Sequence, residues 1–420
     1  MVDKLAIFGG SPVISEPFKP YPSIGKKEEE AVVRVVRSGE LSAFFGSDGP
    51  QFLGGREILA FEAEWCERFR VKHTISVNSA TSGLFAAVGA VGAGPGDEII
   101  VPPTTMSATA MAPLVYGATP VFADIEDDTF CLDVESVIQK ITDKTKAIIA
   151  VNLFGHPANL SQLRKIADER SIFLIEDNAQ GPLASENGVF AGTIGHIGVF
   201  SLNYHKHIHT GEGGMCVTND PELALRLQLI RNHGENIVES RNLKNLKNII
   251  GFNYRMTELS AAVGRVQLAD IDSHVNKRIN IAQKLSKKLC NLTGITTPMV
   301  RDQCNHVYYV WALKYDEKAV GPSRKRFSDA LTAEGFPNTT GYIRPLYMLP
   351  IFREKIAMAK DGLPFTNSEG SYHAGSCPVA ERLWEKEFLY FEPCAYDLTE
   401  NNVDALCDAF IKVYSNRHLL

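Results

Sequence analysis

Short apolar runs alternate with helix-compatible stretches through the first half of the chain, and this alternation limits the possible folds more than any other feature. The apolar runs, each bounded by turn residues, cover residues 98–101, 120–125, 147–152, 173–177, 198–201 and 214–218. Helix-compatible stretches, such as residues 79–91, 107–116 and 159–170, lie between several of them. Strands that alternate with helices predict a mostly parallel sheet with helices on both faces. Ligands of such folds bind at the carboxyl ends of the strands, which directs attention to Asp177, Ser201 and the loop before Ser79.

The C-terminal third of the chain has a different pattern. A long charged helix is predicted at residues 276–292, followed by a strand-like run at 306–313 and by helices at 322–334 and 399–414. A chain of 420 residues also exceeds what one hydrophobic core usually organises. We therefore predict a large domain formed by residues 1–275, including the N-terminal segment, and a smaller C-terminal α+β domain formed by residues 276–420.

Composition and charge argue against several classes of protein. With 45% hydrophobic and 22% charged residues, the chain has the composition of an ordinary globular protein. The net charge is -6 and no block of Lys or Arg forms a basic stripe, which favours a small-molecule partner over nucleic acid. The N-terminal apolar run is too short for a signal peptide and no stretch has the apolar length of a membrane helix, which predicts a cytoplasmic protein. The 8 cysteines include no Cys-x-x-Cys pair, a pattern typical of reduced thiols rather than of disulfides or zinc.

One lysine lies in a loop that is rich in glycine. Residues 200–214 read Phe-Ser-Leu-Asn-Tyr-His-Lys-His-Ile-His-Thr-Gly-Glu-Gly-Gly, with Lys206 at the centre. A buried lysine has a lowered pKa because burial penalises its charged form, and its neutral amine can form a Schiff base. The glycines allow the backbone to turn sharply beside a ligand. A solvated loop lysine would show the same local pattern, so the choice between a reactive and a solvated lysine depends on the neighbouring elements.

Two neighbouring elements supply complementary chemistry. Asp177 ends an apolar strand, where a carboxylate is suited to hold the proton on the ring nitrogen of pyridoxal 5'-phosphate (PLP); a turn or N-cap aspartate is the alternative. Gln180, one turn further on, is placed to contact the ring of that cofactor. Residues 77–84 read Val-Asn-Ser-Ala-Thr-Ser-Gly-Leu and open a helix, whose free N–H groups and dipole favour a phosphate. Any Ser/Thr helix cap has the same pattern.

Several segments together resemble a known family in order and spacing. They are residues 94–102 (Gly-Pro-Gly-Asp-Glu-Ile-Ile-Val-Pro), 117–124 (Gly-Ala-Thr-Pro-Val-Phe-Ala-Asp), 192–201, the lysine loop, and 253–262 (Asn-Tyr-Arg-Met-Thr-Glu-Leu-Ser-Ala-Ala). Over nearly its whole length the chain resembles the sugar aminotransferases of the DegT/DnrJ/EryC1/StrS family. The resemblance implies the type I aspartate-aminotransferase α/β fold, with a mostly parallel mixed seven-stranded sheet. It also implies a PLP-dependent aminotransferase that moves an amino group from glutamate or glutamine to a nucleotide-linked keto-sugar or a keto-cyclitol.

The resemblance also implies roles for individual residues. Lys206 matches the lysine that carries the cofactor and Asp177 its pyridinium partner. The implied cofactor-binding set is Ala80, Thr81, Met106, Asp177, Gln180, Ser201, Lys206 and Asn253. Asn253 matches an asparagine that reaches the phosphate from the neighbouring subunit, which predicts a homodimer with a shared active site. The chain departs from the family at Met106, where an aromatic residue often stacks on the ring, and at Ala80, where the family has glycine.

Substrate recognition is less well marked in the sequence. Tyr342, Arg344, His205 and His207 are the candidate substrate-binding residues, although packing explains Tyr342 equally well. On an extended strand, His205, His207 and His209 would share one face, as metal ligands do. The same alternation would turn Lys206 to the other face, so no metal site is predicted.

The N-terminal start, residues 5–13, is similar to that of inosose aminotransferases and favours a cyclitol over a nucleotide-sugar. Two alternatives to an aminotransferase stay open. One is a PLP-dependent dehydratase of keto-deoxysugars, although some relatives that perform dehydration have histidine in place of the lysine. The other is a catalytically silent PLP-binding regulator.

Overall fold

The computed structural model describes residues 4–241, 243, 245–358, 362–365 and 372–420. Its strands are β1 (His73–Val77), β2 (Glu98–Val101), β3 (Thr119–Phe122), β4 (Thr145–Val151), β5 (Phe173–Asp177), β6 (Ser185–Glu186), β7 (Val189–Phe190), β8 (Ile197–Ser201), β9 (Gly214–Thr218), β10 (Ile295–Thr296), β11 (Cys304–Asn305), β12 (Trp311–Tyr315), β13 (Thr339–Thr340) and β14 (Phe388–Phe391). Its α-helices are α1 (Lys26–Ser38), α2 (Arg56–Phe69), α3 (Ala80–Ala90), α4 (Ala108–Val115), α5 (Val134–Lys140), α6 (Leu160–Arg170), α7 (Pro221–Arg231), α8 (Glu258–Ala269), α9 (Ile271–Leu289), α10 (Glu317–Val320), α11 (Arg324–Ala333), α12 (Pro350–Arg353), α13 (Pro378–Arg382) and α14 (Glu400–Ser415).

A seven-stranded sheet forms the centre of the larger part of the chain. Its strand order is β1-β9-β8-β5-β4-β2-β3. The five strands from β3 to β8 run parallel, whereas β9 pairs antiparallel with both β8 and β1. The prediction of a mostly parallel mixed sheet covered by helices is confirmed. Because β5 and β8 are parallel neighbours, their carboxyl ends at Asp177 and Ser201 lie side by side.

Helix α3 packs directly on the sheet because its sequence is small and apolar. The Ala-Thr-Ser-Gly-Leu-Phe-Ala-Ala-Val-Gly-Ala run is buried over most of its length. Gly83 permits the close approach, since a Cβ atom there would lie 2.8 Å from Cγ1 of Val199 in β8. The N-terminus of α3 is therefore fixed beside the ends of the central strands.

A second sheet, in the order β10-β12-β14-β13, belongs to the C-terminal part of the chain. It packs with α9, α11 and α14 around a separate hydrophobic core that includes Trp311, Phe327 and Phe410. Leu5, from the N-terminal segment, is buried in the same core. The predicted domain boundary at residue 275 falls inside α9, and the division into two domains stays a prediction.

The structure differs from the sequence-based expectations at several strands, two of which bear on the site. Strand β1 was missed, and only the second part of the strand-like run 306–313 belongs to a strand, since β12 begins at Trp311. The residues before Trp311 lie instead along the loop that follows β4, where Val307 N donates to the carbonyl of Gly155 (2.9 Å). In the described part of the chain no helix combines the length and apolarity needed to cross a membrane.

Candidate active site

A cavity with a volume of about 160 Å³ lies at the carboxyl ends of β5 and β8. The structure brings together, around this one cavity, the predicted residues Ala80, Thr81, Met106, Asp177, Gln180, Ser201, His205 and Lys206. These residues come from four separate regions of the sequence, so the fold, rather than any one motif, assembles them. The cavity is the candidate active site.

Lys206 projects from the loop between β8 and β9. The loop closes on itself through Leu202 N, which donates to the carbonyl of Gly213 (2.9 Å), and Lys206 N donates to the carbonyl of Asn203 (2.9 Å). The amine nitrogen lies 4.2 Å from the centroid of the Tyr309 ring. Burial lowers the pKa of the Lys206 amine to about 8, an effect that the charge of Asp177 only partly opposes. A substantial fraction of this amine is therefore neutral near physiological pH, as a nucleophile or base requires.

Asp177 is held by two hydrogen bonds at the end of β5. Its carboxylate accepts hydrogen bonds from Thr109 Oγ1 (2.8 Å) and from the amide of Ala179 (3.2 Å). Burial raises the pKa of the Asp177 carboxyl above its ordinary value, and these hydrogen bonds and the charge of Lys206 only partly oppose that effect. A cationic N–H group in the cavity would add a further charge partner for this buried carboxylate.

The first turn of α3 forms another part of the cavity wall. Ser79 caps the helix by accepting from the amide of Ser82 (3.0 Å). The amides of Ala80 and Thr81 belong to the first turn, where N–H groups have no intrahelical acceptor. Strand β9 runs so close to this turn that a Cβ atom on Gly214 would lie 2.7 Å from Ala80 N. With the hydroxyl of Ser201 nearby, this turn offers the donors and the positive dipole end that a phosphate needs.

Gln180 and Met106 complete the lining. Gln180 Oε1 accepts from the amide of Phe154 (2.7 Å), and its Nε2 donates to the hydroxyl of Tyr342 (3.1 Å). Both ends of the amide are therefore fixed. Met106 is 55% exposed at the cavity, with its sulfur accepting from the amide of Ala108 (3.1 Å). A thioether in this place can cover one face of an aromatic ring.

The structure places four predicted residues outside the cavity lining. Asn253 is exposed, and its Oδ1 accepts from Arg255 Nε (2.8 Å). Arg344 is also exposed, while Tyr342 lies behind Gln180. His207 is buried and its Nε2 donates to a backbone carbonyl. The roles predicted for these four residues stay predictions. In the described ranges, no three His, Cys, Asp or Glu side chains are grouped so that they could hold a metal ion.

Sequence reasoning missed two residues that contact the central pair. Tyr309, which faces the amine of Lys206, lies in the run that was expected to be a strand, and nothing local to it marks a site. Thr109, which donates a hydrogen bond to Asp177, lies three residues after the predicted site residue Met106. Its closeness to Met106 in sequence is the local feature that could have pointed to Thr109. Its contact with Asp177, 68 residues away, is made only by the fold.

The chain is similar to known aminotransferases over nearly its whole length. A model of the DegT/DnrJ/EryC1/StrS aminotransferase family matches residues 24–410. An L-glutamine:2-deoxy-scyllo-inosose aminotransferase of Streptomyces kanamyceticus is 31% identical, over 99% of this chain and 98% of that protein. A GDP-perosamine synthase of Caulobacter vibrioides is 34% identical, over 75% of this chain and 83% of that protein. The crystal structure of an aminotransferase from Psychrobacter cryohalolentis superposes with a TM-score of 0.82 at 29% identity, over 96% of this chain and 100% of that chain.

Proposed function

The chain belongs to the DegT/DnrJ/EryC1/StrS aminotransferase family, and from that premise we propose that it is a PLP-dependent aminotransferase that aminates a cyclic ketone. The amino donor is glutamate or glutamine, and the acceptor is a keto-cyclitol or a nucleotide-linked keto-sugar. The observation that carries the proposal is one cavity lined by Lys206, by the buried Asp177 and by the first turn of α3. These are the three chemical groups that PLP needs in a protein.

The donor set of the cavity fits the cofactor. The amides of Ala80 and Thr81 and the hydroxyl of Ser201 would hold its phosphate. Asp177 would hold its ring nitrogen protonated, which also gives the buried carboxylate a cationic partner. Met106 would cover the ring. When bound, PLP supplies an electron sink that stabilises negative charge on the carbon next to the transferred nitrogen.

Lys206 performs the proton transfers. In its neutral form the amine would take a proton from the α-carbon of the amino-acid donor and, as an ammonium group, deliver it to the cofactor side within the same half-reaction. Amination of the ketone would use the same two proton transfers in the opposite direction. The ring of Tyr309, 4.2 Å away, stabilises the ammonium form through a cation–π contact. Thr109 and the amide of Ala179 keep the Asp177 carboxylate in place while these protons move. One lysine therefore serves both halves of the reaction.

The class of acceptor is supported by the relatives rather than by the cavity alone. The two curated relatives are named for 2-deoxy-scyllo-inosose and for GDP-perosamine, one a cyclitol ketone and the other a nucleotide-linked amino sugar. His205, at the cavity, is the candidate contact to a ring hydroxyl. His207, Tyr342 and Arg344 stay predicted substrate contacts, and for His207 and Tyr342 the structure supports an indirect role through buried hydrogen bonds.

A panel of donors and ketones tests the function. We expect the purified protein to be yellow and to transfer nitrogen from glutamate or glutamine to at least one keto-cyclitol or nucleotide-linked keto-sugar, measured as amine product by mass spectrometry with 15N-labelled donor. Loss of a hydroxyl group from the sugar without 15N incorporation would identify a dehydratase instead. A bound cofactor without turnover on any member of the panel would favour the regulator.

We propose further that the enzyme is a homodimer in which Asn253 completes the site of the partner subunit. Asn253 is exposed and its side chain is held by Arg255, outside the cavity of its own chain. Such a residue is available to a second copy of the chain. A closed two-fold dimer would place both copies of Asn253 in equivalent positions.

Subunit mixing tests the shared site. We expect Lys206→Ala and Asn253→Ala dimers to be impaired separately, and mixed dimers to regain activity, because each mixed dimer contains one site with both native residues. With random exchange of subunits, about a quarter of the wild-type activity should return. The same two preparations combined without unfolding or subunit exchange are the control. No recovery in verified mixed dimers would mean that Asn253 acts within its own chain or not at all.

A further inference from the structure

Two of the histidines that alternate around Lys206 connect its loop to remote parts of the chain. His207 is buried, and its Nε2 lies 2.9 Å from the carbonyl oxygen of Val307. His209 is also buried, and its Nε2 lies 2.6 Å from Oγ of Ser23, which belongs to the segment before α1. These two hydrogen bonds, one on each side chain, are called the histidine braces below.

The hydrogen-bond partners fix the form of both rings. The partner of His207 is a carbonyl oxygen, which only accepts, so its Nε2 carries the proton. His209 Nδ1 accepts from the amide of Gly211 (3.2 Å), so its proton also lies on Nε2 and is donated to Ser23. Burial lowers the pKa of His207 to about 3 and lowers that of His209. Both braces are therefore donated by neutral rings.

The histidine braces lie in a loop without regular secondary structure. Residues 202–213 form neither helix nor strand. Thr210 N donates to the carbonyl of Leu202 (2.9 Å) and so joins the two ends of the loop. Gly211 has a positive φ (82°), a backbone conformation that glycine adopts without strain. Without a ladder of backbone bonds, side-chain bonds have to fix the path of the chain on both sides of Lys206.

The brace to Ser23 is part of a small closed network. Gln267, buried in α8, donates from Nε2 to the carbonyl of Ser23 (2.8 Å), and its Oε1 accepts from the amide of His209 (3.4 Å). Ser23 thus holds His209 directly through its hydroxyl and indirectly through Gln267. The segment before α1, which carries no residue of the cavity, is in this way fastened to the loop that carries the lysine.

From these contacts we propose that His207 and His209 are positioning residues, which hold the Lys206 loop against Val307 and Ser23 and so aim the amine at the cavity. The effect on catalysis rests on the proposed function, whereas the effect of the two hydrogen bonds on the conformation of the loop does not. The two histidines act through the backbone of the loop and do not touch the reacting atoms. Ser23 becomes a residue on which the active site depends although it lies outside the cavity.

Hydrogen exchange of the full-length protein, measured with and without the cofactor, tests the effect on the conformation of the loop. We expect the amides of residues 202–213 to exchange about tenfold faster in Ser23→Ala and in His209→Ala, since each loses one buried hydrogen bond. His209→Gln, whose amide can donate to Ser23, should exchange as slowly as the unmodified protein. The double variant with Ser23→Ala and His209→Ala should exchange no faster than His209→Ala alone, because both changes remove the same hydrogen bond. The matched control is Ser328→Ala, because Ser328 also makes one 2.6 Å side-chain bond, to Asn338, but lies in α11.

Kinetics test the link to catalysis. We expect kcat of Ser23→Ala to fall about tenfold with KM for donor and acceptor nearly unchanged, because a displaced amine impairs proton transfer more than binding. Unchanged exchange in residues 202–213 in both variants would overturn the proposal whatever the activity. Faster exchange with unchanged kcat would reject the positioning role and leave only a structural brace. A wild-type protein that transfers no amine would reject the proposed function but would leave the exchange result interpretable.

Discussion

Replacing Lys206 by alanine is expected to abolish amine transfer while the protein stays folded. The neutral amine moves the protons in both halves of the proposed reaction, and a positioned general base is worth up to about 10⁴-fold in rate. We therefore expect kcat to fall by on the order of 10⁴ and the yellow colour of the purified protein to be lost. Because the charged amine of Lys206 is partly buried, as its lowered pKa indicates, its removal should not lower the thermal stability of the cofactor-free chain.

A matched control separates this effect from a general loss of positive charge. Lys72 is exposed at the start of the central sheet, so Lys72→Ala should keep both colour and activity. Activity and absorbance are measured on the same preparations, with a thermal melt to show that each variant is folded. Normal turnover by a folded Lys206→Ala protein would exclude Lys206 as the proton carrier and, with it, the proposed mechanism.

The pH dependence of Lys206 gives an independent readout on the cofactor-free protein. Its pKa is about 8, against an ordinary value of 10.5, so the neutral amine gains population as the pH rises through about 8. The labelling rate of Lys206 by an acylating reagent, followed by mass spectrometry, should show a midpoint near this pH. Exposed lysines of the same protein should show theirs more than one pH unit higher.

Replacing Asp177 by asparagine is the second change with a large expected effect. The variant keeps the size of the side chain and the acceptor for Thr109, but removes the negative charge that would hold the cofactor ring nitrogen protonated. Electrostatic stabilisation by one preorganised group is commonly worth about 10²–10³-fold in kcat, and we expect a loss of that size. Affinity for PLP, measured by equilibrium dialysis, should fall as well, since the cationic ring loses its buried counter-charge.

Two variants serve as comparisons for Asp177→Asn. Thr109→Val removes one hydrogen bond from the carboxylate and leaves its charge, so its effect on kcat should be much smaller, about tenfold. Asp168→Asn changes an exposed aspartate paired with Arg164 in α6, and should leave activity unchanged. If Asp177→Asn binds PLP and turns over as well as the unmodified protein, Asp177 is not the partner of the ring nitrogen.

The central sheet could be predicted because its strands are short, apolar and separated by helices. Strand β5, Phe-Leu-Ile-Glu-Asp, is buried after its first residue, and its apolar start is typical of a parallel strand covered on both faces. Strand β1, His-Thr-Ile-Ser-Val, was missed because three of its five residues are polar. Its buried Ser76 is satisfied by Glu62, which in turn pairs with Arg231. A polar residue can therefore stand in a buried strand when distant side chains supply its partners, and local sequence does not reveal them.

Sequence by itself determined the family and the sheet, and it predicted the roles of Lys206, Asp177 and the turn at Ala80, because these depend on residue type and local spacing. Only the tertiary structure decided which groups act on them. Thr109 lies 68 residues from Asp177, and Ser23 lies 186 residues from His209. The histidines that local alternation would place on one metal-binding face are turned by the irregular loop toward different partners. Hydrogen-bond partners of this kind are selected by how helices and sheets pack, and the packing brings together residues whose spacing along the chain carries no signal.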